Sequence, residues 1–313
     1  MKRCLILGGA GFLGTNLAYG LLRRNYEVCV YNRISAHVQR LRCLFPTLKI
    51  IDGDFFSESR FTSILDNIDV VFHLVSATNP ANRDMEREFV ENVIPTVHLL
   101  EACKGLPLRI IYFSSGGTIY GIPRYTPIDE MHPTDPISTY GLHKLTVEKC
   151  LQYYGRVYGI QYQILRISNP YGELQNPFSN QGAIAVFLNK ALLGETIEVW
   201  GNGSAVRDYI HVSDVVEACL QVMEYAGEER VFNVGSGRGY SLNDILETIR
   251  QAVGSKLNIH HITGRIQDVP VNILDSSLLH NQTGWSPRVD IAQGIHSMVM
   301  SWDELTREYR WRD

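Results

Sequence analysis

Tyr140 and Lys144 lie four residues apart in a stretch whose pattern predicts a helix. That spacing puts both side chains on one helix face. A tyrosine ordinarily has a pKa near 10 and exchanges protons poorly at neutral pH, whereas a neighbouring ammonium group lowers that pKa. The pair therefore predicts a tyrosine that acts as a proton donor or acceptor, with the lysine as its electrostatic partner.

Small hydroxyl residues follow an apolar run, 109–113, that predicts a buried strand. They are Ser114, Ser115 and Thr118. Ligands of parallel sheets bind at the carboxyl ends of the strands, so these hydroxyls are candidate substrate or cofactor contacts. The same residue types also form turns and helix caps, which is the alternative interpretation.

Glycines spaced three apart, Gly8, Gly11 and Gly14, separate the first apolar run from an amphipathic stretch over 12–24. Such glycines allow a tight turn and a close approach of the backbone to a pyrophosphate, which the N-terminus of the following helix attracts. Glycines that merely relieve a loop are the alternative. Their place between a predicted strand and a predicted helix favours a dinucleotide site.

The second predicted strand ends at Asn32 and Arg33, where a carboxylate would accept hydrogen bonds from the adenosine ribose. Arg33 could instead pair with a 2′-phosphate, which favours NADP(H) over NAD(H), or be a solvated loop residue. Asp54 follows the third strand and could accept a hydrogen bond from the adenine amino group, although a plain loop carboxylate explains it nearly as well.

Short apolar runs alternate with helical patterns through the first half of the chain. Nearly continuous apolar strands are predicted at 4–7, 28–31, 48–51, 69–74 and 109–113. Strands of this kind indicate a parallel sheet covered on both faces, so the predicted fold is a doubly wound α/β, Rossmann-like domain. We expect this domain over 1–168, with a segment near 205–226 returning to it, and a smaller substrate-binding lobe over 169–313.

Composition excludes several classes of protein. A net charge of -4 argues against a nucleic-acid partner. No apolar stretch reaches the ~20 residues that a membrane span requires, and the first residues do not resemble a signal peptide, so the cytoplasm is the expected location. The six cysteines show no CxxC spacing, and His73, His211, His260 and His261 show no metal-binding motif, so no metal is expected.

Together, the motifs GGAGFLG, SSGGTIYG, YGLHK, RISNPYG and VRDYIHVSDV resemble the extended short-chain dehydrogenase/reductase family, over about residues 2–302. Nucleotide-sugar epimerases, dehydratases and reductases are the group that the chain resembles most. The resemblance implies a bound dinucleotide, a nucleotide-diphosphate sugar as substrate, and a homodimer formed by helices near 88–104 and 140–158.

The resemblance also implies roles for individual residues. Tyr140 would be the catalytic acid–base residue with Lys144 as its partner, assisted by Thr118 or Ser115. The implied cofactor contacts are Gly8, Gly11, Phe12, Leu13, Gly14, Asn32, Arg33, Asp54, Phe55, Leu74, Asn92, Ser114, Tyr140 and Lys144. The implied substrate contacts are Thr118, Asn169, Arg207, Tyr209, Arg265 and Asp268.

Three departures from the family pattern bear on the reaction. Gly117 and Thr118 replace the Asp-Glu pair of the dehydratases, so dehydration is set aside. Gly116 stands where the family places a catalytic serine or threonine. Arg33 favours NADPH and hence reduction of a dTDP-linked 4-keto-6-deoxyhexose, while the C-terminal half resembles UDP-hexose 4-epimerases more. Reduction is the first expectation, 4-epimerisation the second, and a non-catalytic binding protein a third.

Overall fold

The computed structural model describes residues 2–77, 83–179, 181–263 and 269–302. The chain divides into two compact units. The first unit comprises Met1–Gly121, Pro133–Arg166 and Val216–Phe232. The second comprises Ile122–His132, Ile167–Val215 and Asn233–Asp313.

Strands and helices alternate along the chain. The strands are β1 (Arg3–Leu7), β2 (Glu27–Asn32), β3 (Lys49–Asp52), β4 (Val70–His73), β5 (Arg109–Ser115), β6 (Gln161–Ile167), β7 (Asn169–Tyr171), β8 (Thr196–Trp200), β9 (Val206–His211), β10 (Val231–Val234), β11 (Gly239–Ser241), β12 (Asn258–Ile262) and β13 (Val271–Asn272). The helices are α1 (Phe12–Arg23), α2 (Ala36–Leu44), α3 (Phe61–Ile64), α4 (Met85–Glu88), α5 (Ile94–Ala102), α6 (Thr139–Tyr158), α7 (Ala183–Leu193), α8 (Val212–Glu224), α9 (Leu242–Val253), α10 (Ser277–Thr283) and α11 (Ile291–Met300).

Among the described residues, seven strands form one parallel sheet in the order β10-β6-β5-β4-β1-β2-β3. The fold is Rossmann-like, as the sequence predicts. The central strands β1 and β4 are apolar along nearly their whole length and buried, because helices cover such sheets on both faces. In this topology the loops that follow β1, β2, β4 and β5 all leave from one edge of the sheet.

The second unit is organised around β9, which pairs with β7, β11 and β13. Its core is a separate apolar cluster from α7, α9, α11 and the strands β8 and β9. The buried carboxylate of Asp208 ties several loops to β9, because it accepts hydrogen bonds from the backbone N–H groups of Ser236, Gly237 and Leu274.

Two segments differ from the predicted division at residue 168. Residues 122–132 belong to the second unit, where Ile128 forms a bridge with Leu274 and accepts a hydrogen bond from the Asn233 side chain. The segment that returns to the first unit is Val216–Phe232 rather than 205–226, since β9 and the first turn of α8 belong to the second unit.

The predicted helix near 88–104 is not continuous. A π-helical turn, Phe89–Val93, separates α4 from α5. π-helical turns are rare and commonly occur at functional sites.

Candidate functional site

The glycine-rich turn after β1 is tightly packed. Gly8 has φ +80°, and a Cβ there would lie 3.1 Å from the backbone nitrogen of Val75. A Cβ on Gly14 would lie 2.5 Å from Cα of Gly9, closer than real contacts of this kind. Both positions therefore require glycine, the first for its backbone conformation and the second for the close approach of α1 to the turn.

Gly11 faces open space. It is the N-cap of α1, and the nearest atom to a Cβ built there is the Gly8 carbonyl oxygen at 3.6 Å. The first N–H groups of a helix, which here include those of Phe12 and Leu13, have no acceptor within the helix and carry partial positive charge. The turn thus fits the pyrophosphate of a dinucleotide, with room for its close approach at Gly11.

Residues at the end of β2 border this turn. The side-chain oxygen of Asn32 accepts a hydrogen bond from the backbone of Ala10, and its amide donates to the Arg33 carbonyl. The side chain of Arg33 is 68% exposed, with a guanidinium nitrogen 4.0 Å from the Asp54 carboxylate. An arginine side chain with this exposure is accessible to a phosphate group of a ligand.

Phe55 and Leu74, two other predicted cofactor contacts, are fixed by the core. Phe55 is buried and packs edge-to-face on Phe61. The backbone of Leu74 donates a hydrogen bond to Leu7, which places the start of the loop after β4 against Gly8. Of the two, Leu74 lies directly beside the glycine turn.

Asn92 lies in the π-helical turn and is buried. Its side-chain oxygen accepts a hydrogen bond from the backbone of Ala77, and its amide nitrogen lies 3.2 Å from both the backbone carbonyl and the carboxylate of Glu88. Asn92 therefore fastens the loop that follows β4 to this helix.

Tyr140 and Lys144 occupy adjacent turns at the start of α6. The ammonium nitrogen of Lys144 lies 5.6 Å from the centre of the Tyr140 ring and donates a hydrogen bond to the Phe113 carbonyl at 3.0 Å. Burial lowers the pKa of Lys144 to about 8, against the opposing effect of the Glu88 and Glu148 carboxylates.

The expected lowering of the Tyr140 pKa is wrong for this structure. Burial and the Glu88 carboxylate raise the pKa of Tyr140 to about 12, and a hydrogen bond with Ser76 opposes them. Desolvation of the phenolate is the largest of these effects, because an ionised oxygen loses its hydration inside the protein.

Ser114 turns its hydroxyl into a buried network. It donates to the Glu148 carboxylate at 2.5 Å, and the guanidinium of Arg166 donates to the same carboxylate at 2.7 Å. Arg166 also donates to the Tyr120 hydroxyl. The Ser114 side chain therefore stabilises the position of α6 against the end of β5.

Thr118 is held against the start of α6. A Cβ on Gly141 would lie only 2.6 Å from the Thr118 carbonyl oxygen, so the strand end and the helix meet at a glycine. In the described part of the chain, the Thr118 hydroxyl is buried without a hydrogen-bond partner. The half-buried Ser115 accepts backbone hydrogen bonds from Thr118 and Ile119 through its carbonyl.

The second unit brings three predicted substrate residues together. Asn169 on β7 lies opposite Tyr209 on β9, and Arg207 is two residues before Tyr209 on the same strand. The Asn169 amide donates to the backbone of Asp208.

These three differ in exposure. Tyr209 is buried within the apolar cluster of the unit, whereas Asn169 and Arg207 are partly exposed. The predicted contacts Arg265 and Asp268 lie outside the described residues.

Sequence reasoning missed several residues that surround Tyr140. Glu88 and His143 form a buried contact of 2.5 Å beneath the tyrosine, and Glu148 pairs with Arg166. Their positions in the sequence could have indicated them, since Glu88 lies one helical turn before Asn92 and His143 directly precedes Lys144.

Over the residues that the structure describes, His, Cys, Asp and Glu side chains form no group of three or more suited to a metal ion. Among the same residues, no helix combines the length and apolar composition needed to cross a membrane.

A parallel sheet, a glycine turn at a helix N-terminus and a tyrosine–lysine pair at the same sheet edge define a dinucleotide-dependent enzyme of the Rossmann type. Residues 4–235 match the model of the NAD-dependent epimerase/dehydratase family. The chain belongs to this family, and its cofactor is accordingly a nicotinamide dinucleotide.

Similar proteins cover nearly the whole chain. A putative UDP-glucose 4-epimerase of Methanocaldococcus jannaschii is 32% identical over 300 residues, which are 94% of this chain and 96% of that protein. A dTDP-4-dehydro-6-deoxyglucose reductase of Escherichia coli is 33% identical over 95% of this chain and 96% of its own. The crystal structure of a UDP-glucose 4-epimerase from Thermotoga maritima with UDP-glucose is 31% identical, covers 97% of this chain and 100% of its own, and has a TM-score of 0.92.

Two glycine substitutions should separate binding from folding. Gly11→Ala adds a methyl group in open space, so thermal stability should change little while dinucleotide affinity falls at least about tenfold through loss of close approach. Gly14→Ala forces α1 from the turn and should cost about 1–3 kcal/mol of unfolding free energy. Denaturant unfolding and calorimetric titration with NAD measure both quantities. An undiminished affinity in the Gly11 variant would contradict the assigned phosphate position.

Proposed function

We propose that the chain catalyses hydride transfer at C4 of a nucleotide-diphosphate hexose, with 4-epimerisation of a UDP-hexose as the first candidate reaction. The observation that carries this proposal is the start of α6, where Tyr140, Lys144 and the backbone of Thr118 lie together at the edge of the sheet that bears the glycine turn. The relatives named UDP-glucose 4-epimerase support this reaction ahead of the reduction that Arg33 favours.

In the proposed reaction Tyr140 transfers a proton at the C4 oxygen. When bound, the dinucleotide supplies hydride chemistry at C4. As the C4 oxygen gains negative charge, Tyr140 donates its phenolic proton to it, and in the opposite direction the tyrosinate accepts that proton. The Lys144 ammonium stabilises the tyrosinate, because opposite charges attract strongly in a buried site.

Thr118 is the better candidate for the hydroxyl that the family places at Gly116. Its side-chain oxygen is buried and has no partner in the described part of the chain, and its backbone contacts the first turn of α6 beside Tyr140. A buried hydroxyl without a partner is costly, so such an atom is expected where a ligand completes its hydrogen bonds. We propose that the Thr118 hydroxyl forms a hydrogen bond with the C4 oxygen and that Ser115 has a structural role in the same loop.

Asn169 and Arg207 are proposed to bind the diphosphate of the substrate. A guanidinium donates two parallel hydrogen bonds to phosphate oxygens, and the Arg207 side chain is partly exposed.

A second candidate, reduction of a 4-keto-6-deoxyhexose linked to dTDP, is favoured by one specific feature. The Arg33 side chain, which follows the end of β2, is 68% exposed and so accessible to a 2′-phosphate. The relative named dTDP-4-dehydro-6-deoxyglucose reductase supports this candidate, and the exposed Arg33 would favour NADPH.

Tyr140→Phe should abolish most activity without loss of dinucleotide binding. The variant removes only the transferable proton, so kcat should fall about 10²–10⁴-fold while the affinity for NAD stays within about threefold. Steady-state assays with UDP-hexoses and 4-keto sugar nucleotides measure the first value, and calorimetry measures the second. Tyr19→Phe, an exposed tyrosine on α1, serves as the matched control. Full activity in the Tyr140 variant would overturn its role, and absence of turnover in the unmodified protein would favour a binding protein.

The dinucleotide that the purified protein releases on denaturation should distinguish the two reactions. An epimerase returns its cofactor to the starting state in each cycle, so near-stoichiometric NAD is expected under the first candidate. A reductase exchanges its cofactor each turnover. Protein that is empty after purification and binds NADPH at least about tenfold better than NADH would contradict the epimerase and support the reductase. Arg33→Ala then tests whether that guanidinium causes the preference.

We also propose that the chain forms a homodimer through α5 and α6. Exposed apolar side chains occur on both helices and are Ile94, Tyr153, Val157 and Tyr158. Such a cluster is typical of a surface that another protein covers.

Val157→Asp should convert a dimer into a monomer in size-exclusion chromatography with light scattering. Leu193→Asp, an equally exposed site on α7, should leave the mass unchanged. A wild-type monomer would refute the proposal.

A further inference from the structure

The turn that follows β7 has an unusual backbone conformation. Leu174, in this turn, has φ +66°. Left-handed conformations are uncommon for residues with bulky side chains, and they persist only where the surrounding contacts hold them. Strained residues of this kind are concentrated at active sites and in segments that bind ligands. The turn is therefore a candidate part of the substrate site, and the side chain that fastens it is the preceding residue, Glu173.

Glu173 is held from two sides. One carboxylate oxygen accepts a hydrogen bond from the hydroxyl of Ser297, on α11, at 2.6 Å. The other oxygen lies 3.2 Å from Nε2 of His211, the last residue of β9. Both α11 and β9 contribute side chains to the apolar cluster of the second unit. The two contacts thus connect the turn to elements that this core already fixes.

His211 is fixed on its other side as well. Its Nδ1 accepts a hydrogen bond from the backbone N–H of Ser213 at 3.3 Å, and the Ser213 hydroxyl lies 2.8 Å from the same nitrogen. A backbone N–H can only donate, so Nδ1 is the acceptor of the ring, and in the neutral imidazole Nε2 carries the proton. The nitrogen beside Glu173 is therefore the donor, and the contacts at Nδ1 keep the ring in this orientation.

Close packing joins the end of β7 to the same imidazole. The rings of Tyr171 and His211 meet edge-to-face with their centres 5.3 Å apart. A Cβ on Gly172 would lie 3.0 Å from Nε2 of His211 and 2.7 Å from Cγ1 of Val212. The chain therefore passes directly over the imidazole before it reaches Glu173.

The β7–β9 pair also carries a residue proposed for the substrate diphosphate. In its register Tyr171 pairs with His211, and Asn169 pairs with Tyr209. The contact between Glu173 and His211 thus lies at one end of a three-residue ladder, and Asn169 stands at the other end. A strand pair this short is marginally stable by itself, so contacts at its end help to keep it in register.

We propose that Glu173 is a positioning residue for the diphosphate of the substrate. Through its contacts with β9 and α11 it holds β7 in place, which fixes the position of Asn169 relative to Arg207. This inference rests on the proposed function, because that function assigns the diphosphate to these two side chains. Glu173 does not itself touch the substrate, so its loss should weaken binding of the nucleotide and leave the chemical step unchanged.

Glu173→Ala should raise the KM for a UDP-hexose about tenfold and leave kcat within about threefold of wild type, because only the binding geometry is disturbed. Calorimetric titration with UDP, and with dTDP in parallel, should show about the same loss of affinity, while the affinity for NAD stays unchanged. A merely structural role would lower the active fraction, and with it kcat, without moving KM.

Matched variants separate the carboxylate from general damage. Glu173→Gln can still contact both partners through its amide and should bring KM back to within about threefold of wild type. Glu195→Ala removes an exposed carboxylate of the same unit and should change neither KM nor nucleotide affinity. If Glu173→Ala fails to fold, Ser297→Ala removes one hydroxyl of an exposed residue and should raise KM about threefold.

A double-mutant cycle tests whether Glu173 acts through His211. His211→Phe keeps an aromatic ring against Tyr171 and removes both nitrogens, so it should raise KM about tenfold. The double variant with Glu173→Ala should raise KM no further than either single variant, because both changes break the same contact. Independent effects would instead multiply to about a hundredfold increase and would contradict the connection.

The results distinguish this inference from the proposed reaction. If the protein binds UDP or dTDP and loses that affinity in Glu173→Ala, but turns over no sugar nucleotide, the proposed reaction fails and the role of Glu173 stands. If turnover occurs and neither KM nor nucleotide affinity moves in folded Glu173→Ala or Ser297→Ala, the inference fails alone. An equal change in Glu195→Ala would also overturn it, and wild-type protein that binds neither nucleotide would overturn both.

Discussion

The buried ion pair between Glu148 and Arg166 is the interaction on which the geometry of the site depends. It joins the middle of α6 to β6, and through Ser114 and Tyr120 it also joins α6 to the end of β5. Removal of one partner from such a pair typically costs about 3–5 kcal/mol, because an uncompensated charge then remains in the interior. Tyr140 and Lys144 stand on the turns of α6 that precede this anchor. Their distance from the sheet edge is therefore set by an interaction that has no part in the chemistry.

A second constraint is the close approach between α6 and the strand end at Gly141. No side chain fits between the helix and the Thr118 carbonyl. Gly141 permits α6 to begin directly against the loop that carries Ser115 and Thr118. Under the proposed function, a hydroxyl at position 118 can replace one at position 116 only if the loop is held this tightly.

Much of the first unit could be predicted from its sequence. Alternating apolar runs and helices led to the parallel sheet, and the glycine spacing led to the turn at Gly8–Gly14, because both patterns are local. The contacts of Glu88, His143 and Ser114 could not be predicted in this way. Glu88 and His143 contact each other across 55 residues of sequence, and Ser114 contacts Glu148 across 34 residues. Only the packing of α4 and β5 against α6 brings them together. The pKa of Tyr140 differs from the expectation for the same reason, since spacing shows the lysine and does not show burial.

The π-helical turn at Phe89–Val93 carries one residue more than the α-helical geometry would accommodate. Each residue of an α-helix advances the direction of its side chain by about 100°. Without that additional residue, α4 and α5 would form one continuous α-helix. Compared with the present structure, the faces of α4 would then be rotated by about 100° relative to those of α5. Asn92 could then not point towards Ala77 while α5 keeps its present face on the sheet. A single additional residue thus gives one helical segment two orientations, one towards the loop that follows β4 and one towards the core.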